Sequence, residues 1–180
     1  MKIATLIALA AAMPAAALAQ AQYKVQMNAI DIRGVGASLG TITIIEGTPG
    51  GTVVLKPDLK GLPPGAHGFH LHEFANCGAK EKDGKMSPGE MAGAHWDPDK
   101  AGKHGAPTGG GHRGDMPVLL AGANGAATQV VAAPKLKLAD FRNKALMIHA
   151  GGDNHADQPK PNGGGGERIA CGVVESGVKR

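Results

Sequence analysis

Apolar and polar positions alternate along this chain in short runs, and Gly, Pro and Asn separate the runs. A period of two is that of a strand with one face buried, and the 3.6-residue helical period is hard to find after Ala19. The pattern predicts eight strands: Tyr23 to Ile32, Leu39 to Glu46, Gly51 to Leu59, His67 to His72, Met116 to Ala121, Ala126 to Ala133, Lys144 to His149 and Arg168 to Glu175. Thr48-Pro49-Gly50-Gly51 and Asn124-Gly125 supply turn residues that tolerate positive φ, so they predict hairpins between strands two and three and between strands five and six. The expected fold class is an all-β antiparallel barrel or sandwich, without internal repeats.

The first residues do not fit this rhythm. Met1-Lys2 is followed by an apolar run from Ile3 to Leu18, interrupted by Thr5 and Pro14, and by the small-residue triplet Ala17-Leu18-Ala19. That is the layout of a signal peptide, and the run is shorter than the roughly 20 residues that span a bilayer. Residues 1–19 are therefore read as a leader and residues 20–180 as one domain, with no membrane association after cleavage. Lys2 goes with the leader, and the other cations are spread along the chain, so the formal net charge of +4 does not point to nucleic acid or a membrane surface. Cys77 and Cys171 are the two cysteines. An exported chain meets an oxidising compartment, which predicts that they pair.

Two segments interrupt the strands, Glu73 to Asp115 and Ala150 to Glu167, the second containing Gly163-Gly164-Gly165-Gly166. Long loops in compact domains are usually functional or disordered. The first carries His95, His104, His112, Cys77 and Trp96, which favours a tethered, functional loop.

All eight histidines lie at or after His67. His70-Leu71-His72 places two imidazoles on one face of a strand, where both can meet one ion. His95, His104, His112 and Asp115 follow with gaps of 9, 8 and 3, and three imidazoles with one carboxylate suit a closed tetrahedral zinc site. Such an ion would order a loop that lacks a core of its own. His149 ends the apolar run Ala145-Leu146-Met147-Ile148. Joined to His70, His72 and one further imidazole it completes a four-nitrogen set, which favours copper.

Taken in order, His67-Gly68-Phe69-His70-Leu71-His72-Glu73, Gly93-Ala94-His95-Trp96-Asp97-Pro98, Lys103-His104-Gly105, His112-Arg113-Gly114-Asp115, His149-Ala150-Gly151-Gly152-Asp153 and Arg168-Ile169-Ala170-Cys171-Gly172-Val173 resemble the copper,zinc superoxide dismutases, in particular their exported bacterial members. The resemblance covers nearly all of the chain after the leader. It implies an eight-stranded antiparallel Greek-key barrel, an immunoglobulin-like sandwich, with two long functional loops. It implies dismutation of superoxide, a small anionic substrate, to dioxygen and hydrogen peroxide, as antioxidant defence in the periplasm. The copper ligands it implies are His70, His72, His95 and His149. The zinc ligands it implies are His95, His104, His112 and Asp115, with His95 shared and also acting as a proton donor.

Asp153 resembles the carboxylate that links a copper ligand to a zinc ligand. Arg168 resembles the active-site cation that attracts and orients a small anion. Cys77 and Cys171 resemble the family's disulfide, which ties the first long loop to the last strand. Lys80, Lys82 and Lys85 occupy the stretch with which exported members steer their substrate, here alternating with Glu81 and Asp83. His67 aligns with a position that does not touch metal, and His155 and Trp96 have no matched role. Members of this group include monomers and homodimers, and nothing in the sequence selects between them.

Two other readings use the same residues. A copper and zinc buffer would store metal with these ligands, but storage needs neither a shared imidazole nor an anion-guiding arginine. An immunoglobulin-like adhesion module would carry the histidines incidentally and would bind neither metal.

Overall fold

The computed structural model describes residues 21–47 and 50–175. The leader and the turn residues Thr48 and Pro49 lie outside the described residues. The strands are β1 (Gln22–Asp31), β2 (Gly34–Glu46), β3 (Val53–Leu59), β4 (Gly65–His67), β5 (Phe69–His72), β6 (Lys80–Lys82), β7 (Lys85–Ser87), β8 (Leu119–Ala121), β9 (Val131–Ala133), β10 (Lys144–His149) and β11 (Arg168–Val174). Single 3₁₀ turns cover Glu90–Ala92, Leu138–Phe141 and Asn162–Gly164, and no α-helix occurs among the described residues. Seven strands form one antiparallel sheet in the order β5-β10-β11-β1-β2-β3-β9, and β4-β8 and β6-β7 form separate antiparallel pairs. The last strand returns beside the first, as in a Greek key.

Alternation decides which residues fill the interior. Tyr23, Val25 and Met27 of β1, Ile42 and Ile44 of β2, and Val53, Leu55 and Leu59 of β3 are buried in one cluster with Phe69, Leu71, Leu146, Ile148 and Val174. Leu119 and Ala121 of β8 join the same cluster, so the large sheet and the β4-β8 pair enclose a single core. Each large apolar side chain moved out of water there contributes about 1.5–3 kcal/mol. The all-β antiparallel barrel expected from the sequence is the fold.

Details differ from the sequence pattern for local reasons. β2 begins at Gly34, because the Arg33 amide donates to Asp31 Oδ1 at 2.7 Å and closes a tight β1-β2 turn that its polar, glycine-containing residues did not advertise. The predicted fourth strand is broken at Gly68, whose amide donates to Gly151 O at 2.7 Å. Asn124-Gly125 does make a turn, with the Gly122 amide donating to Ala126 O at 2.9 Å. The strands it joins nevertheless do not pair as the expected hairpin: β8 pairs with β4, and β9 with β3, so the chain passes here between sheets.

Candidate metal centre

The residues that concern function lie on the outer face of the barrel wall, beneath the two long loops. On β5, Phe69 and Leu71 point into the core, which turns the alternate residues His70 and His72 outward, and both are fully buried. β10 pairs with β5 so that Met147 lies opposite His70, and the His149 amide donates to Gly68 O at 2.9 Å. His149 is thereby delivered beside the His-x-His pair by strand register alone.

The first long loop is stitched to β5 by its backbone. The Leu71 amide donates to Gly114 O at 2.9 Å, Trp96 to Leu71 O at 2.8 Å, and Glu73 to Ala94 O at 3.1 Å. The loop therefore does not depend on an ion alone for its order, as its composition suggests. These bonds set His95 against His72 and Asp115 against His70.

Two groups of side chains converge. Potential donor atoms of His70, His72, His95 and His149 lie within 4.8 Å of one another, and so do those of His95, His104, His112 and Asp115. His95 belongs to both. Asp115 Oδ1 lies 3.0 Å from His95 Nδ1, 3.0 Å from His104 Nδ1 and 3.3 Å from His112 Nδ1, and Asp115 Oδ2 accepts from the Gly105 amide at 3.0 Å. Asp153 joins the groups: His70 Nε2 donates to its Oδ2 and His104 Nε2 to its Oδ1, each at 2.8 Å. Gly163 packs against this carboxylate at positive φ, and a Cβ there would collide with it, which accounts for glycine at that position.

The hydrogen bonding leaves a characteristic remainder. Outside the donor groups His155 Nδ1 is buried without a hydrogen-bond partner; within them His70 Nδ1, His72 Nε2 and His149 Nε2 have no hydrogen-bond partner, and His104 Nδ1 faces only the Asp115 carboxylate that two other rings share. The other nitrogen of each donor-group ring is held, by Asp153 for His70 and His104, by Gly93 O at 3.0 Å for His72 and by Gly166 O at 3.1 Å for His149. Leaving a buried polar group unpaired costs about 1–3 kcal/mol, so three unpaired ring nitrogens within one donor group fit metal ligation.

Electrostatics agrees with ligand chemistry. Burial holds His70 and His72 well below the usual imidazole range and pushes His149 down to about 4. His95 is lowered by burial as well, against the pull of Asp115. For His104 burial is outweighed by the carboxylates of Asp115 and Asp153, which raise it to about 9. Burial opposes ionisation of those two carboxyls, yet their imidazole hydrogen bonds hold both well below the usual carboxylate range.

Arg168 opens β11 opposite His149. Its guanidinium donates to Gly89 O at 2.7 Å and to Gly93 O at 2.8 Å. Burial lowers its pKa, and the neighbouring Glu90 opposes that. Cys77 and Cys171 form a disulfide between the first long loop and β11, within a small cluster that also holds Ile30, Ala92, Ala145 and Met147.

The family model for copper/zinc superoxide dismutase matches residues 38–174. The chain belongs to the copper/zinc superoxide dismutase family. As a member it is an enzyme with copper and zinc as cofactors. It is 53% identical over 156 residues to the Escherichia coli K12 superoxide dismutase [Cu-Zn], covering 86% of this chain and 89% of that one. The structure of the Cu/Zn superoxide dismutase from Brucella abortus superposes with a TM-score of 0.82 at 46% identity, covering 86% of this chain and 99% of that one. The monomeric enzyme from Salmonella enterica superposes with a TM-score of 0.75 at 52% identity, covering 85% and 99%.

The remaining sequence expectations find their places in this family member. His67 lies between His149 O and Pro63 O, 2.8 Å from each, away from the donor groups. His155 is half-buried, and its amide donates to Asp153 Oδ1 at 2.7 Å. Trp96 packs on the core between Arg113 and Lys144, at 5.5 Å and 5.4 Å from its ring centroid. Lys80, Lys82 and Lys85 stand on the exposed β6-β7 hairpin. Three contributors gave no sequence signal: Asp157, which accepts from the His104 amide at 2.9 Å; Lys135, which donates to His112 O at 2.6 Å; and Glu90, beside Arg168.

Proposed function

We propose that His70, His72, His95 and His149 hold copper, that His95, His104, His112 and Asp115 hold zinc, and that the site dismutates superoxide. The observation that carries the assignment is His95, the ring common to the four-histidine group and to the group of three histidines around the Asp115 carboxylate. A four-imidazole set favours copper, and three imidazoles with a carboxylate favour zinc. When bound, copper supplies a one-electron redox couple, which zinc cannot do.

The chain's own residues do the rest. Two superoxide anions and two protons become one dioxygen and one hydrogen peroxide, so the site must attract an anion and deliver protons. Arg168 supplies a fixed cation with two of its donors already committed to Gly89 O and Gly93 O, so its position is set before an anion arrives. His95 faces Asp115 through Nδ1, which leaves Nε2 as the atom that can hold a proton between the two half-reactions. Asp153 fixes the orientation of His70 and His104 together, as a carboxylate behind metal-bound histidines does.

The leader at residues 1–19 and the disulfide support export to the periplasm, with residues 20–180 as the mature domain. Every proposed ligand comes from one chain, so the chemistry needs no second copy, and the Salmonella enterica relative is monomeric. The test is superoxide consumption by protein loaded with one copper and one zinc, compared with His149→Ala. Loss of activity with zinc and fold retained supports the assignment. A loaded wild-type protein that leaves superoxide untouched sinks it in favour of metal storage.

A further inference from the structure

The carbonyls that hold Arg168 belong to Gly89 and Gly93, and they bracket the single 3₁₀ turn Glu90–Ala92. That turn places a carboxylate against the guanidinium: Glu90 Oε2 lies 3.4 Å from Arg168 Nη1. A negative charge so close works against attracting an anion to the same arginine. The other carboxylate oxygen, Oε1, lies 2.9 Å from Lys82 Nζ on the β6-β7 hairpin. Glu90 thus stands between two cations and is held closer by the outer one. The Arg168 and Glu90 side chains are mostly covered, at 12% and 19% exposure, so their interaction is weakly screened, whereas Lys82 is 55% exposed.

We propose that Glu90 is a positioning residue that sets the anion affinity of the Arg168 site, and that Lys82 acts on this site through Glu90. Lys82 draws the carboxylate off the guanidinium and so leaves the arginine's charge available. This rests on Arg168 being the anion-guiding group. It differs from steering by the general field of an exposed lysine, because a field adds independently of Glu90 while a relay requires it.

The experiment is azide titration of the copper- and zinc-loaded enzyme, followed by its visible absorption, for Arg168→Gln, Glu90→Gln, Lys82→Met, Lys82→Arg and the double variant Glu90→Gln/Lys82→Met. Metal content and thermal midpoint are measured on each. Partly exposed pairs of this kind are worth up to about 1 kcal/mol, so Glu90→Gln is expected to tighten azide about three- to fivefold and Lys82→Met to weaken it about two- to fourfold. In the Glu90→Gln background Lys82→Met should change the Kd by less than about 1.5-fold, and Lys82→Arg should bind as the wild type does.

Equal weakening by Lys82→Met in both backgrounds overturns the relay, as does an unchanged Kd in Glu90→Gln. Arg168→Gln separates the two levels. If it weakens azide while Glu90→Gln has no effect, only the relay is lost; if it has no effect itself, the anion-guide reading falls and the relay with it. Should Glu90→Gln fail to load metal, the Lys82→Met and Lys82→Arg pair decides with Glu90 in place, since equal Kd values for the two overturn the proposal.

Discussion

The two halves of the metal centre are built differently. The four-histidine group takes three of its members from paired strands, His70 and His72 on β5 and His149 at the end of β10, in a register fixed by backbone ladders. The His95, His104, His112 and Asp115 group comes wholly from the first long loop, held by scattered backbone bonds to β5 and by side chains such as Asp157 and Lys135. On the proposed assignment the strand-built half would meet its ion with geometry already set, and the loop-built half would gain part of its order from the ion it binds.

The sharpest break in this comparison is His149→Ala. Removing a strand ligand should lower superoxide dismutation by about three orders of magnitude or more, while zinc content and amide exchange in the first long loop stay at wild-type levels. Loss of zinc in this variant would mean that the halves are not separable.

Next comes acid on the metal-free protein. The strand-built histidines are depressed in the fold, so the unfolded chain binds more protons, and stability is lost as pH falls from the unfolded value of 6.5 through the folded one. His149 alone, at about 4, contributes a loss of about 3 kcal/mol by that pH. His70, His72 and His95 act in the same direction. His104 responds at the other end: raised to about 9, its stabilisation is present below 6.5 and disappears as pH rises through 9. Denaturant melts of metal-free protein between pH 4 and 9 should show stability falling on both sides of neutrality. A flat acid limb would contradict the burial of the strand-built set.

Cys77→Ser removes the tie between the loop and β11, which closes a chain separation of 94 residues. A loss of at most about 5 kcal/mol follows in thermal or denaturant unfolding, with earlier amide exchange at Gly89 and Gly93. Asp153→Asn should weaken both metals about 10- to 100-fold, read by chelator competition, because one carboxylate orients a histidine of each half. An effect on one metal only would show that the bridge matters to a single half. Lys135→Met has the smallest expected effect, about 1 kcal/mol, confined to the loop-built half and measured as a lower zinc affinity with copper affinity unchanged.

The same division governs what could be read in the sequence. Val25 and Met27 in β1, or Phe69 and Leu71 beside His70 and His72, announce strands and their inward face because burial on one side imposes period two. The β6-β7 hairpin is exposed on both faces, so Lys80, Glu81 and Lys82 carry no apolar alternation and the pairing was invisible. β4 and β5 read as one strand because nothing in His67-Gly68-Phe69 signals that the Gly68 amide turns to Gly151 O. The ligand residues were legible through spacing and through their resemblance to the family. Glu90, Lys135 and Asp157 were not, since each acts on a residue distant in the chain and no periodicity records such a contact.

Gly93 O accepts from both His72 Nδ1 and Arg168 Nη2. One oxygen atom therefore ties a ring of the four-histidine group to the guanidinium proposed to guide the anion. A displacement of the Glu90–Ala92 turn would disturb both at once. Failure of this turn is accordingly concerted, because the guanidinium and the imidazole lose a common acceptor.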